Sequence, residues 1–124
     1  MNVTVYYEDT DAQGVVYHAN YLKYFERARS NWLMQQTEHW ENMCTNKEAF
    51  VIKSLSIDYL VPAKLGDLLH IKSHFEVLRP TLGLWRQAAY RADICLCRGE
   101  LEMAFVNARG QPRALPDFVK AVSL

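Results

Sequence analysis

One helix-period stretch stands among several strand-period stretches, and that imbalance limits what the chain can fold into. From Asn20, a residue suited to a helix N-cap, Tyr21, Phe25, Ala28 and Trp32 fall at i, i+4, i+7 and i+11, with Leu22 and Leu33 beside them. Lys23, Glu26, Arg27 and Asn31 lie off that stripe. The spacing predicts a helix of about five turns with a wide apolar face, fading into a polar loop over Thr37–Asn46. The rest of the chain changes period. Asn2–Tyr7 is β-branched and aromatic and predicts a short first strand. In Phe50–Val61, Leu55, Ile57, Tyr59 and Val61 alternate with other residues, as in a strand with one buried face. Pro62–Asp67 is a turn signal. Leu69, Ile71, Phe75 and Val77 alternate with His70, Lys72, His74 and Glu76, which read as a solvent face. Arg79–Gly83 predicts a turn, Leu84 to about Leu96 a strand, Arg98-Gly99 a turn, and Glu100–Val106 a last strand. Gln111–Leu124 is a proline-broken tail with room for one short helical turn.

The predicted order is β–α–β–β–β–β, in one domain spanning 1–124. A single helix must bury its apolar face on the sheet that the consecutive hairpins form. The expected class is therefore α+β, with an antiparallel five-stranded sheet wrapped around one long helix. One helix cannot cover both sides and both edges of such a sheet, so a homo-oligomer is expected.

Composition narrows function by exclusion. Half of the 124 residues are apolar and the formal net charge is zero, so neither disorder nor a nucleic-acid surface is indicated. Cys44, Cys95 and Cys97, with no secretion signal ahead of them, indicate a reducing, cytoplasmic setting and small apolar filler roles. No apolar run reaches the roughly 20 residues of a membrane span.

The chemistry-bearing residues cluster between Tyr6 and Arg29. Asp9 and Asp11 stand two apart, Gly14 follows, and His18 precedes the helix. A carboxylate beside a helix start suits carbonyl chemistry, because the first N–H groups lack partners within the helix and the dipole favours developing negative charge. The two acids also fit a metal site or a solvated turn. His18 is the one nearby imidazole, which leaves a metal ligand set incomplete. A histidine there also suits packing or capping, whereas its backbone N–H is free to face a ligand oxygen. His70 and His74 would stand about 13 Å apart along a strand, too far to share a metal. No G-x-S-x-G element is present, and glycines at 14, 66, 83, 99 and 110 make neither a phosphate loop nor a dinucleotide fingerprint. No metal or other cofactor is expected.

The run Tyr7-Glu8-Asp9-Thr10-Asp11-Ala12-Gln13-Gly14-Val15-Val16-Tyr17-His18-Ala19-Asn20-Tyr21-Leu22, continuing into Phe25-Glu26-Arg27-Ala28-Arg29, closely resembles the hotdog-fold acyl-CoA thioesterases. The nearest groups are the 4-hydroxybenzoyl-CoA thioesterase-like family and the thioesterase associated with the Tol-Pal system. The Pro62–Asp67 turn and Arg113-Ala114-Leu115-Pro116 fit as well. The resemblance implies a hotdog fold, a dimer or dimer of dimers with sites at subunit interfaces, and an acyl-CoA or acyl-carrier-protein thioester as substrate. It implies that Asp11 is the catalytic carboxylate, as nucleophile or general base, and that the backbone N–H at His18 polarises the thioester carbonyl. In the Tol-Pal-associated branch the His18 side chain is also assigned a catalytic role. Gln13 departs from the pattern, since a glycine is common there and its loss could alter the turn that aims Asp11. Tyr7, Tyr17 and Tyr21 are candidates for lining the acyl pocket, although core packing is the more usual role for any one of them. Two rivals remain: a hotdog dehydratase pairing a histidine with a helix acid such as Glu26, and a non-catalytic acyl-CoA or acyl-carrier binding protein.

Overall fold

The structure, a computed structural model, describes residues 1–120 and 122–124. Its elements are β1 (Asn2–Thr4), α1 (Asn20–Gln35), α2 (Thr37–Asn46), β2 (Ala49–Tyr59), β3 (Leu68–Arg79), β4 (Leu82–Arg91), β5 (Ile94–Val106) and β6 (Pro112–Arg113), with single 3-10 turns at Tyr7–Asp9 and Asp117–Val119. The strands form one antiparallel sheet in the order β1-β3-β4-β5-β2, and β6 pairs with the end of β5. The sheet holds α1 against one face, the expected hotdog arrangement, with a sixth short strand and a second helix added. The 3-10 turn at Asp117–Val119 supplies the helical turn expected of the tail; Ala121 lies outside the described residues.

Tyr21, Phe25 and Ala28 are buried, as the stripe requires, and Trp32 is half-buried. The first three meet Val5, Leu69, Ile71, Ala89, Leu96 and Cys97 from the loop and sheet, while Trp32 packs on a second cluster. That cluster, built on Met43, Phe75, Trp85, Met103 and Val119, fills the other end. In β3, Leu69, Ile71 and Phe75 point inward and His70, Lys72 and His74 outward, as the alternation predicts, while Val77 is exposed.

Four local expectations are corrected. Asn2–Tyr7 is not one strand: β1 stops at Thr4, and Tyr7–Asp9 coils into the 3-10 turn. The stretch Thr37–Asn46 is helical, because Trp40, Met43 and Cys44 repeat at i, i+3 and i+4 and Met43 docks in the second core cluster. The Arg98-Gly99 turn does not exist. Both residues lie inside β5, and the chain reverses at Ala92-Asp93, where Ala92 takes φ +52°. Gly99 is a seat for the helix: a Cβ there would stand 3.3 Å from the Phe25 ring. Likewise Gly83 lies in β4, where a Cβ would overlap the Phe75 ring.

The two sheet edges differ. The outer edge of β3 is covered by both ends of the chain. Asn2–Thr4 pair with Leu68–His70, the Ile71 N–H donates to the Met1 carbonyl (2.7 Å), and the Ser73 and Phe75 N–H groups donate to the Leu124 and Val122 carbonyls (3.0 Å each). β2 pairs with β5 alone among the described residues. The expected buried face of β2 is also largely open in the single chain: Leu55, Tyr59 and Val61 are exposed, while Ile57 is half-buried against the first cluster.

Candidate active site

The segment from Val5 to Asn20 is folded by its own polar groups. Asp9 is buried, and its carboxylate accepts the Tyr6 N–H (2.8 Å) through Oδ2 and the Asn20 side-chain amide (2.9 Å) through Oδ1. Its carbonyl accepts the Tyr17 N–H at 2.9 Å. Burial pushes the Asp9 carboxyl up, but the Tyr6 N–H, the Asn20 amide, the nearby Tyr24 hydroxyl and the Arg27 charge together outweigh it. They hold the group below the usual carboxylate range. The Tyr24 hydroxyl is the one buried side-chain polar atom without a hydrogen-bond partner among the described residues.

Asp11 is exposed and sits on a smaller loop. Its N–H donates to the Val15 carbonyl (2.9 Å), its carbonyl accepts the Gly14 N–H (3.0 Å), and its Oδ1 accepts the Gln13 N–H (2.9 Å). Gly14 closes the loop at φ +78°, a conformation that favours glycine. The Val16 N–H donates to the Ala63 carbonyl (2.9 Å), which hangs the loop on the turn after β2. The second Asp11 oxygen takes no hydrogen bond among the described residues.

Asn20 does not cap α1. Ala19 occupies the cap position with no side-chain bond, because the Asn20 amide is committed to Asp9. Among the described residues nothing accepts from the His18 or Ala19 backbone N–H, so the helix begins with open donors. The His18 carbonyl instead accepts the Tyr59 hydroxyl at 2.8 Å. The His18 ring lies between Tyr17 (centroids 4.5 Å apart) and Tyr59 (6.2 Å, edge-on).

Asp11, His18, Tyr21 and Tyr59, with Val16 and Val61, line one cleft of about 250 Å³ at the junction of the α1 start and the β2 end. The structure thus brings Asp11, His18 and Tyr21 together. The Tyr21 hydroxyl accepts the Ala63 N–H (3.2 Å), and burial pushes its pKa up. Tyr17 does not line the cleft and packs on the far side of His18, half-exposed. Tyr7 stands on the 3-10 turn, 84% exposed and away from the cleft. Tyr59 is the residue that the sequence reading missed. Its alternation marked it as a core position, and the one available signal was a tyrosine ending a strand just before the Pro62–Asp67 turn.

Two larger hollows lie elsewhere. One of about 540 Å³ covers the outer sheet face, where Arg86 pairs with Glu76 (2.6 Å) and Glu100 (3.4 Å) and Arg98 with Asp58 (3.6 Å). Both of its arginines are thus paired with acids, and Lys72 lies over the Tyr90 ring. The other, about 360 Å³, lies between the helices and the start of β2 and is walled by Trp32, Trp40, Met43, Phe50 and Trp85. The small cleft combines a carboxylate that keeps a free oxygen with the open N–H at the start of α1. Among the described residues no three His, Cys, Asp or Glu side chains gather as a metal site, and no helix is long and apolar enough to cross a membrane.

Comparison with known proteins places the chain in a family. The family model described as thioesterase superfamily matches residues 13–97. An acyl-CoA thioesterase YbgC of Haemophilus influenzae is 41% identical over 96% of this chain and 89% of its own length. Its namesake in Helicobacter pylori is 44% identical over 97% and 96%. The crystal structure of a probable thioesterase from Bartonella henselae superposes with a TM-score of 0.79 at 34% identity, covering 94% of this chain and 96% of that one. A hypothetical protein of Aquifex aeolicus, at 24% identity, shares the fold with a TM-score of 0.85. This chain belongs to the thioesterase superfamily and is a thioester hydrolase.

Proposed function

We propose that the chain hydrolyses the thioester of an acyl-CoA, or of an acyl carrier protein, at the cleft between Asp11 and the start of α1. The observation that carries this reading is the division of labour between the two acids. Asp9 is consumed by structural hydrogen bonds, while Asp11 keeps an oxygen free in a cleft it shares with His18, whose backbone N–H has no acceptor among the described residues. No serine or cysteine lines the cleft. As general base, Asp11 takes a proton from water as the hydroxide oxygen bonds to the carbonyl carbon. As nucleophile, its oxygen forms that bond directly and water later hydrolyses the acyl-aspartyl anhydride. In either route negative charge develops on the thioester oxygen. The N–H groups at His18 and Ala19 receive it, and the C–S bond then breaks to release a thiolate. Single-turnover hydrolysis in ¹⁸O-water can establish the nucleophilic route: label enters the Asp11 side chain only if an acyl-aspartyl anhydride forms and water attacks its aspartyl carbon.

The dehydratase reading needs a helix acid beside His18. Glu26 is instead bound to Arg29 (2.6 Å) and Ser30 (2.6 Å), outside the cleft. A second copy belongs in the reading. The bare edge of β2 ends at the cleft, so a second β2 pairing there satisfies the edge and walls the open side of the site. Three free cysteines fit a cytoplasmic setting.

The test is thiol release from a panel of acyl-CoA substrates. Asp11→Asn is expected to lower turnover about 10²–10⁴-fold with an unchanged melting temperature; near-wild-type turnover overturns the assignment. His18→Ala is expected to retain more activity, because the backbone donor survives. Equal loss in both variants assigns the work to the imidazole. Saturable binding with no thiol release in the wild type would leave the non-catalytic reading standing.

A further inference from the structure

We infer that Tyr59 is a positioning residue for the thioester reaction: its hydroxyl fixes the backbone turn that carries the His18 and Ala19 N–H groups. The inference rests on the reading of the cleft as the thioester site.

The turn from Tyr17 to Ala19 has few restraints. The Tyr17 N–H is tied to the Asp9 carbonyl, and the Tyr17 and Ala19 carbonyls accept the N–H groups of Asn20 (2.8 Å) and Leu22 (3.2 Å). Between those anchors the peptide joining His18 to Ala19 is held, among the described residues, by one bond, from the Tyr59 hydroxyl to the His18 carbonyl at 2.8 Å. The tyrosine that makes it is itself well fixed. Its backbone pairs with Cys97 of β5, and the next two N–H groups, of Leu60 and Val61, both donate to the Leu96 carbonyl. Its ring sits against those of His18 and Tyr21, with centroids 6.2 and 5.8 Å away. The sheet thus transmits its rigidity to the donor turn through a single hydroxyl. A carbonyl that accepts a hydrogen bond also polarises its own peptide unit, which strengthens the Ala19 N–H as a donor. Burial pushes the Tyr59 pKa up, so the hydroxyl remains a donor throughout the neutral range. A preorganised donor lowers the barrier because it does not have to reorient when charge develops on the oxygen.

The alternative is that Tyr59 is only a wall of the cleft. Tyr59→Phe keeps the ring and removes the hydroxyl, which separates the two. The positioning role predicts that kcat falls roughly tenfold, the loss expected of one oriented hydrogen bond, while KM and the melting temperature stay unchanged. It also predicts larger-amplitude backbone motion at His18 and Ala19 by ¹⁵N relaxation. Asp11→Asn is measured alongside. Wild-type kcat in Tyr59→Phe with Asp11→Asn inactive overturns the inference and leaves the site assignment standing. Full turnover in Asp11→Asn overturns the site assignment instead. A raised KM at unchanged kcat, or a loss of kcat that tracks a fall in melting temperature, overturns the positioning role.

Discussion

The loop that carries Asp9 and the loop that carries Asp11 are neighbours in sequence and opposites in environment. Asp9 faces inward, surrounded by the Tyr6 N–H, the Asn20 amide and the Arg27 charge, and every one of these contacts favours its ionised form. Asp11 faces the cleft with one backbone donor on one oxygen. A carboxylate saturated with hydrogen bonds is stabilised as an anion and is a poor nucleophile and a poor base. One left partly free retains both capacities. The same side chain therefore does structural work on one loop and is available for chemistry on the next, and the turn between them makes the difference.

Exchanging the roles is the sharpest way to break that contrast. Asp11→Asn is expected to remove activity and spare stability. Asp9→Asn is expected to cost about 1.5–3 kcal/mol of stability, the range for hydrogen bonds to a charged group, read from urea unfolding. Its acid dependence sharpens the point. Because the Asp9 carboxyl is held below its ordinary value when folded, its contribution is complete above about pH 4. That contribution is lost as pH falls from there through the folded pKa. The wild type therefore loses stability as pH falls below about 4 with a component that Asp9→Asn lacks, and unfolding midpoints across that acid range measure it. Loss of turnover in Asp9→Asn with the melting temperature intact would end the division of labour drawn between the two acids.

The fold was largely legible in the sequence, and the misreadings have physical causes. The α1 stripe and the β3 alternation were clear because each element has one face on the core and one in water. Glycine misled twice, since a turn and a close ring approach both select it. Gly83 and Gly99 serve the Phe75 and Phe25 rings, while the true reversal at Ala92-Asp93 carries no glycine at all. The helical Thr37–Asn46 hid behind polar residues that face solvent. Of the site, the residues alone showed two acids, a histidine and a helix start. Only the resemblance preferred Asp11 over Asp9, and the physical reason, the Asp9–Asn20 bond, spans 11 residues. Tyr59 was out of reach, because 41 residues separate it from the carbonyl it holds.

Gly14→Ala tests whether the Asp11 loop depends on its backbone shape. A Cβ at Gly14 meets nothing within 4 Å, so the whole cost is the φ of +78°. That is about 1–2 kcal/mol for an L-residue forced left-handed. If the loop relaxes instead, the Gly14 N–H leaves the Asp11 carbonyl and the carboxylate is mis-aimed. Turnover then falls further than stability, and paired kinetic and unfolding measurements show which occurs. Unchanged turnover and unchanged stability together would mean that the loop geometry does not matter to Asp11.

The smallest effect belongs to Gln13, where glycine is common in the proteins this chain resembles. Gln13 has a negative φ, so its backbone does not need glycine. Its contribution to Asp11 is its N–H, which any residue except proline supplies. Its side chain is exposed and makes no hydrogen bond among the described residues. Gln13→Gly is therefore expected to leave kcat and KM unchanged. It should lower stability by about 0.4–1 kcal/mol, because the unfolded chain gains freedom that folding must remove. A rise in kcat would show that the glutamine restrains a loop which works better when looser. A fall would show that the side chain reaches the substrate, giving the Asp11 loop a specificity role beyond holding its carboxylate.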